Sequence, residues 1–186
     1  MHFLVLSRAA PGAGETDDAA LNEAHWAYMD GFAAGMTARG PTLTLDRAGW
    51  TGSLHVVDLP DATAAMAFVT NEPYFLAGMY DSHDVWVYRD LLGRTMREFP
   101  REPVEPRFLV VVRDWRAAAW RPPEGLAERL ILCGALTGEG DADAGLALAV
   151  QAPARDAATE LLREAGILPR WSVATEIHDW EFGGRR

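Results

Sequence analysis

Histidine, with carboxylates and phenols to work with, is the chemistry this chain offers, and His25 is its best-placed histidine. Leu21, Ala24, Tyr28, Phe32 and Met36 recur at three- to four-residue steps, and His25 falls inside that apolar stripe, with Asn22, Glu23 and Asp30 on the polar side. An imidazole there is expelled unless it stays neutral with a hydrogen-bond partner or pairs its charge, so it requires one. The stretch N71-E-P-Y-F-L-A-G-M-Y-D81 places Glu72 directly ahead of a proline, followed by Tyr74, Phe75 and Tyr80. Other constellations are weaker. His83-Asp84 and His178-Asp179 are adjacent pairs expected in surface turns or strand ends, and their spacing does not suit shared metal ligation, so no metal is expected. Pro11-Gly12-Ala13-Gly14 lacks the lysine and the helix-opening spacing of a phosphate loop. His2 and His55 have no partner the sequence can name.

Composition narrows the classes. The 186 residues carry a formal net charge of −10, which disfavours nucleic acid and anionic membranes as partners. All 17 cationic side chains are arginine, which excludes a Schiff-base lysine. The single cysteine, Cys133, lies in the apolar run LILCGAL, so there is no disulfide framework and little reason for a reactive thiol. The apolar run near the N-terminus is too short for a signal or a membrane span, and a soluble, cytoplasmic protein is expected.

The elements that must position these residues read as β-α-β-β-α-β. Phe3–Ser7 is an apolar strand. A helix capped by Thr16 or Asp17 is expected to run to Gly40-Pro41. Thr42–Leu45 and Ser53–Leu59 read as a hairpin, Pro60-Asp61 opens a helix through about Asn71 with Ala62, Ala65, Met66 and Val69 at helical spacing, and Val85–Tyr88 is a further strand. Residues 99–106, FPREPVEP, have the composition of a semi-rigid linker. Beyond it the order recurs: RFLVVVRD matches HFLVLSRA, LILCGAL matches the presumed helix end MTARGPT, and AGLALAVQAPARDAATELLREAG matches GSLHVVDLPDATAAMAFVTNEP, with a final strand around Ser172–Ile177. The expectation is an α+β chain of two tandem ferredoxin-like modules, 1–98 and 107–186, joined by 99–106 and packed as an intramolecular pseudo-dimer resembling a dimeric α+β barrel. Such a chain would be a monomer or a weak homodimer. Counting back from Gly134 as His25 lies from Gly40 reaches Ala119, and the loop matching Glu72-Pro73-Tyr74 shrinks to Ile167-Leu168-Pro169, so the second module is expected to have lost its site.

AHWAYMDGFAAGMTARGP, TGSLHVVDL and EPYFLAGMYDSHDVWVY, in that order, resemble the YCII-related domain family over about the first 95 residues. The marks are His25, Gly40-Pro41, Gly52-Ser53, Pro73-Tyr74 and Ala77-Gly78. The resemblance implies a small ferredoxin-like protein that pairs into barrel-like dimers, with a pocket centred on a histidine and an aspartate. The histidine carries over to His25. The aspartate position holds Glu72, which keeps the charge on a side chain one methylene longer. One line of the family eliminates chloride from chlorinated hydroxyquinols, and many members have no assigned activity.

A carboxylate fixing one nitrogen of a histidine, whose free pKa is about 6.5, leaves the other poised as base and then acid near neutrality. On that footing His25 and Glu72 are the expected catalytic pair. Tyr74, Ser53, Tyr28 and Tyr80 are the expected substrate-binding residues, with Trp26, Phe32 and Trp50 as further apolar wall. The implied function is cofactor-free proton transfer (elimination, isomerisation or cyclisation) on a small aromatic or enolisable substrate. The alternatives are a non-catalytic ligand-binding protein and a cofactor-free oxygenase of the dimeric α+β barrel type.

Overall fold

A computed structural model describes residues 1–13, 18–100, 104–113, 115, 120–138, 143–168 and 175–184. The chain divides into two units, one of residues 1–87 with 182–186 and one of residues 88–181. In the first unit the order is β1 (His2–Ala9), α1 (Ala19–Asp30), β2 (Met36–Leu43), β3 (Trp50–Asp58), α2 (Ala62–Thr70), α3 (Pro73–Leu76) and β4 (Tyr80–Asp90), the last three residues of β4 belonging to the second unit. β1 pairs antiparallel with β3 and β4, and β3 with β2, giving the sheet order β4-β1-β3-β2.

α1 starts at Asp18, whose Oδ1 accepts from the backbone N–H groups of Ala20 and Leu21; Thr16 and Asp17, the expected caps, lie outside the described residues. It ends at Gly31, where the N–H turns back to the Ala27 and Tyr28 carbonyls. The expected continuation to Gly40-Pro41 is wrong: after one 3-10 turn at Ala33–Gly35, MTARGPTL is strand β2. The spacing of Phe32 and Met36 imitated a helical stripe, but Met36 belongs to the alternation of a strand whose backbone groups pair with β3 from Val57 to Trp50. Within α1 the fully buried side chain is Met29, while Ala24 is exposed. α2 begins and ends as read, capped by Asp61 and Asn71, but buries Ala65, Phe68 and Val69 and leaves Met66 half exposed. Phe68 alone contributes roughly 2–3 kcal/mol of apolar burial. The helix-side core joins Phe3, Val5, Val57, Met29 and Phe68, while Leu4, Leu6, Leu54 and Val56, pointing to the opposite side of the sheet, are equally buried.

The second unit contains β5 (Arg107–Arg113), α4 (Glu124–Ala127), β6 (Leu130–Thr137), β7 (Asp143–Gln151), α5 (Arg155–Glu164) and β8 (Thr175–Trp180). LILCGAL is therefore strand β6, not a helix end. The order is β8-β5-β7-β6, again antiparallel. Agreement with the first unit extends to single residues. Gly52 lies opposite Arg8 in β1 and Gly145 opposite Arg113 in β5; Gly40 lies opposite Leu54 and Gly134 opposite Ala147. The register shifts at Met36/Ala38 and Thr42/Leu43 recur at Leu130/Leu132 and Leu136/Thr137. His178 and Asp179 sit within β8 rather than in a turn; Asp179 accepts from Arg155 and His178 meets Glu176 at 3.3 Å. Cys133 is buried, and burial followed by the Asp90 charge pushes its thiol up to about 12, which leaves it unreactive as a thiolate.

The repeated glycine has a steric cause. A Cβ on Gly52 would stand 2.1 Å from the Ser7 carbonyl oxygen, and one on Gly145 would stand 2.2 Å from that of Val112. Gly52 also has φ +150°. Gly52→Ala should therefore cost on the order of 3 kcal/mol in chemical denaturation. Gly78→Ala, at φ +71° with open space around the position, should cost only about 1 kcal/mol.

Candidate functional site

Glu72 ends the turn after α2 and caps α3, with Pro73 in the first helical position. The residue is 3% exposed, and its carboxylate accepts from the backbone N–H of Tyr74 (Oε1, 3.1 Å) and of Phe75 (Oε2, 3.0 Å). His25 Nδ1, from the middle of α1, lies 2.5 Å from Oε1. With backbone donors already fixing the carboxylate as acceptor, Nδ1 carries the hydrogen toward it. The imidazole stacks face to face on Tyr74, ring centroids 4.1 Å apart and planes 3° from parallel, and the Tyr74 hydroxyl donates to Asn22 Oδ1 at 2.6 Å. That hydrogen bond braces α3 against α1.

Beside this pair is a cavity of about 430 Å3, within the range that holds small ligands. Trp50, Tyr74 and Tyr80 form an aromatic wall, with centroids 5.6 Å from Trp50 to each tyrosine. Ser53 Oγ and Tyr80 Oη share a hydrogen bond of 2.8 Å on the wall. Burial first, then the Glu72 charge, hold the Tyr80 phenol far above its ordinary pKa against the opposing effect of Ser53, so it remains a proton donor. Of the expected binding residues, Tyr74, Ser53 and Tyr80 therefore line the cavity with His25. Tyr28 does not: its ring packs in the core with Phe32 and Phe68, and its hydroxyl donates to the Phe68 carbonyl at 3.0 Å. Trp26 lies at the rim, 43% exposed.

His83 and Asp84, expected in a surface turn or at a strand end, are half-buried residues within β4; His83 Nδ1 meets Ser7 Oγ at 3.2 Å and Asp84 pairs with Arg8 at 2.7 Å. Among the described residues no group of three His, Cys, Asp or Glu is placed to hold a metal ion.

Sequence reasoning missed three parts of the wall. His55 is 4% exposed, and its ring stands edge-on to His25 at 6.3 Å. Its spacing two residues from Ser53 on one strand was a usable signal. Arg39 lies opposite His55 in the β2–β3 register and was hidden by reading β2 as helix. Phe182, Gly183 and Gly184 cross this end of the cavity, Gly183 donating its N–H to the Arg39 carbonyl at 2.9 Å, and nothing local in the sequence announces them.

Comparison with known proteins agrees with these elements. The chain shares its fold with ferredoxin-like α+β proteins of the dimeric α+β barrel class: a candidate chlorite dismutase, TA0507 (13% identity, TM-score 0.55, 97% of this chain and 95% of that one), and a mutant chlorite dismutase from Candidatus Nitrospira defluvii (8% identity, TM-score 0.56, 97% and 90%). Residues 1–89, just under half of the chain, match the YCII-related domain. A 5-chloro-2-hydroxyhydroquinone dehydrochlorinase from Burkholderia phenoliruptrix AC1100, solved with 2,5-dihydroxybenzoquinone, is similar at 28% identity over 46% of this chain and 90% of that one, with a TM-score of 0.41. No curated protein matches the chain. Among the described residues no helix is long and apolar enough to cross a membrane.

Burial, then the charges of His25 and Arg39, push the His55 pKa down to about 3. Because the folded value lies below the unfolded one of about 6.5, the unfolded chain binds the extra proton, and stability present above pH 6.5 is lost as pH falls toward 3. Proton NMR should find the His55 ring neutral from pH 8 to 4. His55→Leu, which installs the residue found at the equivalent position 148, should flatten the loss of stability across that window.

Proposed function

We propose that the first unit is a small-molecule enzyme in which His25, oriented by Glu72, transfers a proton without a cofactor. The observation that supports this reading best is the 2.5 Å contact between a buried, doubly capped carboxylate and Nδ1 of His25, whose ring lies at the wall of an aromatic cavity. A structural histidine needs a partner, but it does not need an adjoining cavity of ligand size. With Nδ1–H committed to Glu72, Nε2 at the far side of the ring is the base. It takes a proton from an acidic C–H or O–H of a bound aromatic or enolisable substrate, and the electron pair left behind forms a π bond as the bond to a leaving group breaks (elimination), shifts an existing π bond (isomerisation) or forms a ring bond to an electrophilic carbon whose own π pair moves onto its neighbour (cyclisation). The imidazolium is stabilised by Glu72 and by the Tyr74 face, and it returns the proton to a leaving group or to another atom of the substrate. Elimination, isomerisation and cyclisation share these proton transfers.

His25→Gln should lower kcat roughly 10²–10⁴-fold on any substrate found, with little change in thermal unfolding, since glutamine keeps a hydrogen bond to Glu72 but exchanges no proton near neutrality. Glu72→Gln should be milder in activity and cost about 1 kcal/mol as a weakened cap. Undiminished turnover in His25→Gln would return the histidine to a structural role.

We also propose that the chain is two tandem copies of one module, 1–98 and 107–186, of which the second has dropped the site. The matching registers and shifts support duplication. Extended along the strands, the same registers set His55 against Leu148, Ser53 against Leu146 and Arg39 against Cys133, so each polar wall residue has an apolar or thiol counterpart within a packed core. Ala119 and Pro169, the other expected losses, lie outside the described residues, while Ile167 and Leu168 are buried. One chain carrying both copies should run as a 20.4 kDa monomer or a concentration-dependent dimer in light scattering. An obligate dimer down to nanomolar concentration would contradict this.

A further inference from the structure

Among the described residues, the wall of the cavity beside His25 carries one permanently charged side chain, and it is a cation. Arg39 is 6% exposed, and among the described residues no aspartate or glutamate lines the cavity, in a chain whose net charge is −10. The arginine is held in place from several directions. Nη1 and Nη2 both donate to Asp30 Oδ1 at 3.1 Å, the carboxylate itself standing off the wall and about one-third exposed. Gly184 lies so close that a Cβ there would come within 2.1 Å of Nη2, and a Cβ on Gly183 would come within 2.6 Å of the Gly40 Cα. The backbone that frames the guanidinium has therefore been kept free of side chains.

Nothing in the strand frame demands this charge, since the equivalent position of the second unit holds Cys133 within a packed core. Burying a guanidinium is costly even when it is paired, and recognition of a ligand is one reason for a buried site to keep one. What a fixed, planar guanidinium recognises is a carboxylate or another oxyanion, because its donors match two oxygens at once. Across the strand pair, His55 is held neutral and adds a ring N–H or a ring acceptor on the same face. His25 marks the other end of this polar line, its ring 6.3 Å from that of His55. A single substituted ring or a short enol acid spans such a distance.

We propose that Arg39 is a specificity-determining residue that binds the carboxylate or equivalent oxyanion of a small planar acid, holding the rest of the molecule toward His25. The orientation toward His25 rests on the proton-transfer reading; the preference for an anion is a property of binding alone.

The probes are 2,5-dihydroxybenzoate and its methyl ester, which differ by the charge and are matched in ring and hydroxyl groups. Titration calorimetry on the full chain at pH 7 should show the acid binding at least tenfold tighter than the ester, with the preference shrinking as salt is raised. Arg39→Gln should abolish the preference and Arg39→Lys should keep part of it, while His25→Gln should leave it intact. Equal affinity for acid and ester in the unmodified protein, or no binding of the acid at millimolar concentration, overturns the proposal without any variant having to fold. So does a preference that survives in a folded Arg39→Gln protein. Failure of the proton-transfer reading shows separately, as turnover that His25→Gln does not reduce.

Discussion

A single buried carboxylate sets the geometry of the site. Glu72 is almost wholly removed from water, and a carboxylate in that position is tolerated only if its oxygens are satisfied by donors. Two come from the backbone at the start of α3 and the third from His25 on α1. Each donor fixes something. The backbone pair fixes where α3 begins and hence where Tyr74 stands; the imidazole fixes the rotation of α1; and the stacking of His25 on Tyr74 closes the loop between them. The longer glutamate arm suits this arrangement, because it reaches past its own cap to a helix forty-seven positions earlier in the chain.

The strand frame and the site obey different constraints. Where β3 starts beside β1 and where β7 starts beside β5, a backbone carbonyl leaves no room for a side chain, so glycine is required in both units whatever the unit does. The paired register shifts are constraints of the same kind, set by how a twisted strand meets its neighbour. Side chains on that frame are less restricted. Position 39 holds arginine in one unit and its equivalent holds a buried cysteine in the other, without disturbing the pairing.

The strand-helix order, the second strand of the hairpin and the second helix were legible because period-two and period-3.6 patterns are local, and the Asp61 cap and Pro73 are local signals too; the hairpin's first strand, expected at Thr42–Leu45, lies at Met36–Leu43. The first helix was over-extended because DGFAAGMTARGP offers apolar residues at spacings that satisfy both templates, and what decides between them is pairing with β3, a contact the local pattern does not contain. The same misreading concealed Arg39. His25 and Glu72 were legible through a partner requirement and a family pattern. Tyr28 was misjudged because an aromatic on the buried face of a helix reads alike whether it meets a cavity or a core, and only the position of Phe68 separates the two.

The strand of chain from Phe182 to Gly184 returns to the first unit after the whole of the second has been made. During synthesis, α1, β2 and β3 leave the ribosome early, with His25, Arg39 and His55 already aboard, yet the backbone that lies against Arg39 and Gly40 is still untranslated. At roughly 5–20 residues per second, that leaves an interval on the order of ten seconds in which the first unit exists with one wall of its cavity missing. The order of synthesis thus places the last wall of the cavity after the whole of the second unit: the site is completed only once the neighbouring fold has been translated.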